Sequence, residues 1–151
     1  MPEESELLVN ELRTRVERLE LLLMIGRMMH ATSDQEELIT SIALAVGHYL
    51  DADRCSIFFH DRDARQLYTH LAVRTDGQAD EAILSLEGQQ IRIGDDEGIA
   101  GSVFQSSEML NVQDTNTDDR FTGGIDAKTG YETKSILCIP LKNRRGQNIG
   151  V

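Results

Sequence analysis

Two cysteines, four histidines and one loop rich in carboxylates and hydroxyls are the groups through which this sequence can do chemistry. Cys55 and Cys138 each sit inside an apolar, strand-like run, far apart and outside any CxxC pair. No disulfide framework or redox motif follows from that spacing, and both read as small buried hydrophobes. His30, His48, His60 and His70 fall on different expected elements without an HxxxH or HExxH spacing, so no metal site is predicted. No nucleophile, base and orienting group stand together, and no catalytic residue is assigned. There remains Gly124-Ile-Asp-Ala-Lys-Thr-Gly-Tyr-Glu-Thr-Lys-Ser-Ile-Leu-Cys-Ile-Pro-Leu141, where a loop carrying Asp126, Thr129 and Thr133 runs straight into a very apolar strand. Asp and Thr can bond their own backbone in turns, which leaves two roles open for them: capping the loop or contacting a ligand.

The elements that must hold these groups follow from periodicity. From Val9 the apolar residues recur at alternating steps of three and four: Val9, Leu12, Val16, Leu19 and Leu23. With Val at a positions and Leu at d positions, this heptad pattern favours a parallel two-stranded coiled coil, hence a homodimer through the N-terminal helix. Residues Leu21 to Met29 are apolar around nearly the whole circumference and call for cover on several sides. Ala31 to Asp34 breaks the helix, and Ser33 with Glu36 has capping-box spacing for a second helix reaching about Leu50. The period then switches. Cys55 to His60 and Leu67 to Val73 form a β-hairpin across a polar turn, Gln89 to Ile93 a third strand, Gly98 to Ser107 a short helix and Met109 to Val112 a brief strand. Ser135 to Leu141 reads as a strand apolar on both faces, so the sheet should be covered on both sides. Pro140 should mark a bulge or an exit from the sheet. Two helices followed by mostly antiparallel strands make an α+β layout.

Composition narrows the partners. The chain has 151 residues, 40% of them hydrophobic, enough for one domain with an appended helix. Its formal charge of −11 disfavours nucleic acid and anionic membrane. The acidic N-terminus is unlike a signal peptide and no apolar run can span a bilayer, so a cytoplasmic location without membrane insertion is expected.

In order and spacing, Arg54-Cys-Ser-Ile-Phe, Ile91-Arg-Ile leading to Gly98-Ile-Ala-Gly, Leu110-Asn-Val-Gln-Asp, Asp119-Arg-Phe and Asp126 to Leu141 resemble a GAF domain. The last block is similar to the cyclic-nucleotide-binding branch found in phosphodiesterases and bacterial adenylyl cyclases. The resemblance implies a domain over residues 33–151 that lacks its final strand and helix, preceded by a coiled-coil or signalling helix over 1–31. It implies an antiparallel sheet of about six strands, with helices on one face and a cap of loops and short helices over a ligand on the other. It also implies a sensor of a cyclic purine nucleotide, cAMP or cGMP, acting on an effector domain in the same longer chain. Carried over, Ser56 would face the base, Ile99 and Ala100 would offer backbone N–H groups to the cyclic phosphate, and Thr122 would stand nearby. Asp126 would meet the ribose or base, with Thr129 and Thr133 bonding from the lid. A helix N-terminus aims free N–H groups at an anion, and Gly98 lets the backbone come close. Asp95, Asp96 and Glu97 immediately precede that terminus. Their carboxylates can cap it themselves, and they would repel a phosphate. A GAF-like dimerisation module that binds nothing is the alternative reading.

Overall fold

In the computed structural model, backbone is described for residues 2–31, 34–74, 91–129 and 131–151, and side chains for 5–27, 34, 37–69, 91–127 and 131–151. The chain forms two compact units. One comprises Met1–Cys55 with Val73–Leu84, the other Ser56–Ala72 with Ser85–Val151.

The first unit is helical. Helix α1 spans Pro2–Ala31 and α2 spans Gln35–Tyr49, and they lie against each other. The break between them falls where the sequence placed it; the Ser33–Glu36 capping box and the Met28 and Met29 side chains lie outside the described residues. On α1 the whole heptad seam is solvent-exposed, with Leu12 at 51%, Leu19 at 59% and Leu23 at 61%, while Leu21 and Ile25, one turn apart, are half-buried. Helix α2 ends as Asp51 adopts a left-handed φ of 51° and the Ala52 N–H reaches back to the Gly47 carbonyl at 2.9 Å, which satisfies a carbonyl that the helix leaves open.

The second unit carries the antiparallel sheet. Strands β1 (Arg54–Asp61), which begins in the first unit, β2 (Gln66–Arg74), whose last residues return to it, and β3 (Arg92–Gly94) are followed by helix α3 (Gly98–Ser106) and strand β4 (Leu110–Val112). A 3-10 turn at Thr115–Thr117 and the short helix α4 (Gly124–Thr129) lead to β5 (Ile136–Cys138), β6 (Leu141–Lys142) and β7 (Asn148–Gly150). Five strands pair in the order β3-β2-β1-β7-β6, and β4 pairs with β5 separately. β5 and β6 are successive pieces of one run, parted at Ile139-Pro140; the proline has no N–H for a ladder, and the β6–β7 register shifts just beyond it. At Gly150 a Cβ would stand 2.0 Å from the Phe58 carbonyl oxygen, so only glycine lets β7 close on β1 there.

The core is built from Phe58, Leu67, Ile91, Val103 and Val151, with Ile93, Ala100, Phe104, Leu110, Ile125 and Cys138 packed around it. The β5 run departs from expectation. Ile136 and Cys138 are half-buried, but Leu137 and Ile139 on the alternate face are 44% and 47% exposed. Among the described residues the run is thus buried on one face, where Cys138 packs on the core and α3 meets the strand.

Candidate functional site

Helix α3 begins at a glycine for a backbone reason. Gly98 has φ 69°, a left-handed conformation that costs a glycine least, and a side chain there would meet the Arg120 carbonyl at 3.7 Å. Gly101 is required by close approach, since its Cβ would fall 2.4 Å from the Asp96 carbonyl carbon. Gly98 is thus explained by its left-handed φ, and Gly101 by how the helix folds onto its own preceding turn. Ile99 is buried and Ala100 packs on the core, so both side chains are taken up by packing.

The three acids before the helix do not cap it. Glu97 occupies the N-cap position with extended dihedrals and makes no side-chain cap bond. Its carboxylate folds back to the Gly94 N–H at 3.1 Å, and the Asp95 carboxylate is drawn to His60 Nε2 at 3.2 Å and to Arg65. The capping expected of these carboxylates fails for Glu97 and Asp95 because each is bonded elsewhere.

Ser56 is exposed on β1 and, by strand alternation, shares a face with Phe58 and His60. Phe58 packs in the core with Val103, and the His60 ring lies 4.2 Å from that of Phe104. Ser56 therefore lies on the α3 side of the sheet, as do Ile99 and Ala100.

The loop after β4 is organised by short polar bonds. Asp114 caps the 3-10 turn by accepting from the Asn116 N–H at 2.9 Å. Arg120 donates to both oxygens of Asp118, Nε at 2.8 Å and Nη2 at 2.6 Å, and with the Arg120 N–H holds that carboxyl down at about 2. Thr122 follows, exposed, two residues before α4. In the first turn of α4 both oxygens of Asp126 are engaged by Thr133: Oδ2 by the backbone N–H and Oδ1 by the hydroxyl, each at 2.6 Å. Thr133 is pinned again from the other side, because Thr115 donates its hydroxyl to the Thr133 carbonyl at 2.5 Å and its N–H to the Lys134 carbonyl at 2.9 Å. Thr115 is only 2% exposed and no sequence signal singled it out; a threonine inside a polar run looks like any other loop residue.

Asp126 and Thr133 are thus brought together, while Ser56 shares a strand face with Phe58, on whose core Ala100 packs. Ile125 and Ala100 pack on the same core. The Thr129 side chain lies outside the described residues. Among the described residues no group of His, Cys, Asp and Glu is arranged to hold a metal ion. Burial pushes both thiols up, Cys138 to about 11, which suits packing and not nucleophilic attack.

This order of strand, glycine-entered helix, polar loop and apolar strand is matched over residues 34–151 by the profile of the GAF domain. The chain belongs to the GAF domain family. Among curated proteins, the GAF chain is 36% identical over 125 residues to the Caenorhabditis elegans "Probable 3',5'-cyclic phosphodiesterase pde-5", covering 82% of this chain and 17% of that one. It is 34% identical over 134 residues to the Takifugu rubripes "Dual 3',5'-cyclic-AMP and -GMP phosphodiesterase 11A", covering 88% and 14%. The chain therefore spans less than a fifth of the length of these relatives. Among solved structures, the GAF domain of a Coxiella burnetii phosphoenolpyruvate-protein phosphotransferase superposes with a TM-score of 0.70 at 20% identity, covering 89% of this chain and 74% of that one. That likeness speaks for the fold alone. No helix among the described residues is long and apolar enough to cross a membrane.

Proposed function

We propose that this GAF domain is a regulatory sensor whose ligand is a cyclic purine nucleotide, cAMP or cGMP. The observation that carries the reading is the free N-terminus of α3, uncapped by side chains despite three preceding acids, on the same core as the helix bearing Asp126. The named relatives are cyclic phosphodiesterases, which makes a cyclic phosphate the natural anion for that terminus. In this reading Ile99 and Ala100 give N–H bonds to the phosphate, with Thr122 beside it, and Ser56 reads the base. Asp126, Thr129 and Thr133 close the lid over the ribose and base. The chain acts by binding, in the cytoplasm, and any catalysis belongs to an effector domain elsewhere in a longer protein. Calorimetry with cAMP and cGMP on the 151-residue chain tests this: saturable heat with one binding site is expected, and none at millimolar nucleotide sinks it.

A second reading is favoured by a specific observation, the exposed seam of α1. Val9, Leu12, Val16, Leu19 and Leu23 are all more than half exposed in one chain, an arrangement that a second copy would cover. As a homodimerisation module, the chain would relay signals through α1 whether or not it binds nucleotide. Light scattering of a Leu12→Lys, Leu19→Lys double variant should give monomers, and a persisting dimer removes this role for α1.

A further inference from the structure

Asp95 stands in the turn between β3 and α3 and is 6% exposed, too buried for a carboxylate without a set of partners. It has one on every polar atom. His60 Nε2 lies 3.2 Å from Oδ2, and Arg65 reaches Oδ2 through Nε at 3.5 Å and Oδ1 through Nη2 at 3.4 Å. Its N–H donates to the Arg65 carbonyl at 3.1 Å, and its carbonyl accepts from Gln105 Nε2 at 3.0 Å. His60 is held against Phe104, at 4.2 Å between ring centres. The end of β1, the β1–β2 turn and the last turn of α3 are therefore all fastened to a residue three positions before Gly98.

A carboxylate next to an anion site opposes the anion on charge alone, so any favourable role it has there must be of another kind. We infer that Asp95, clamped by His60 and Arg65, is a positioning residue that fixes the direction of the first-turn amides of α3 towards a phosphate-class anion. Arg65 offsets its charge, and His60 fixes its rotamer. The ligand half of this inference rests on the cyclic-nucleotide reading; the orienting half does not.

Charge and positioning predict opposite signs, which makes the test sharp. Asp95→Ala removes a negative charge, so a purely coulombic role would tighten cGMP binding. Positioning predicts weakening by at least about tenfold, measured by calorimetry. Guanosine, which has no phosphate, should change by less than about threefold. Independently of ligand, hydrogen exchange at the Gly101 amide, bonded to the Glu97 carbonyl at 2.9 Å, should accelerate. The Phe58 and Val151 amides, which bond each other's carbonyls, should not. Should Asp95→Ala unfold the domain, His60 carries the test. His60→Gln keeps a donor near the Nε2 position and should retain cGMP affinity within about threefold, whereas His60→Ala should lose it. Tighter or unchanged cGMP binding in Asp95→Ala overturns the inference. If the native chain binds neither nucleotide, the sensor reading falls separately, and unchanged exchange at Gly101 then overturns the orienting role as well.

Discussion

Helices α1 and α3 use apolar residues in opposite ways. Helix α1 sets Val9, Leu12, Val16, Leu19 and Leu23 at coiled-coil spacing and leaves them exposed, whereas α3 has nine residues, one of them a glycine that admits close backbone contact, and buries Ile99 and Val103. Length without burial needs a partner, because a helix gains most of its stability from what covers its apolar face. Burial at close approach needs none. The two regions should therefore respond differently to the same kind of substitution.

The largest expected effect contrasts two leucines. Leu67 has no exposed surface at the centre of the core. Leu67→Ala should destabilise the fold by about 2–5 kcal/mol in denaturant unfolding, at any protein concentration. Leu12→Ala on the exposed seam should cost a monomer within about 0.5 kcal/mol, with any larger loss dependent on concentration. A concentration-independent loss at Leu12 as large as at Leu67 would break the comparison.

Next comes the close approach itself. A methyl at Gly101 would collide with the Asp96 backbone and one at Gly150 with the Phe58 carbonyl, neither of which can swing aside like a side chain. Each Gly→Ala variant should lose about 1–3 kcal/mol or more, despite gaining helix or strand propensity. At Gly26 on α1, where an added Cβ meets nothing within 4 Å, the same change should stabilise by about 0.5–1 kcal/mol. Thermal melts of the three variants give the sign directly.

The contrast also shows what periodicity can carry. The break near Ala31, the hairpin, α3 and β4 were legible because each is written in local spacing: a heptad, an alternation, a glycine before a short apolar helix. Tertiary bonds have no such signature. Asp95 finds His60 at a separation of 35 residues, and Thr115 finds Thr133 at 18. The acids before α3 consequently looked like caps or repulsive charges, when two of them have other partners. The β5 run looked doubly buried because hydropathy reports that residues are apolar, not that anything lies over them. Of the candidate site, the residue types and their order were readable; the pairing of Asp126 with Thr133 was not.

That pairing is the next test, smaller in size. Thr133→Val keeps the shape and the N–H but removes one bond to the Asp126 carboxylate, which should cost about 1–2 kcal/mol. Thr133→Ser should restore it. If Val and Ser behave alike, the hydroxyl contributes nothing, and this loop is held by backbone bonds alone.

The smallest effect concerns a thiol on the half-buried side of β5. Cys138 is pushed up from 9.0 to about 11 because burial penalises the thiolate. The folded chain therefore keeps its proton at pH values where the unfolded chain has lost it. Ionisation then favours the unfolded state, so stability falls as pH rises from about 9 towards 11 and is unaffected below that window. The informative quantity is a difference between two chains. Cys138→Ala should be less stable at neutral pH from lost packing, yet its stability should decline less steeply than the native chain's between pH 9 and 11. Parallel curves would mean that Cys138 is open to water in solution and that β5 is exposed on both faces. Its inward side would then resemble the seam of α1 more than the core around α3.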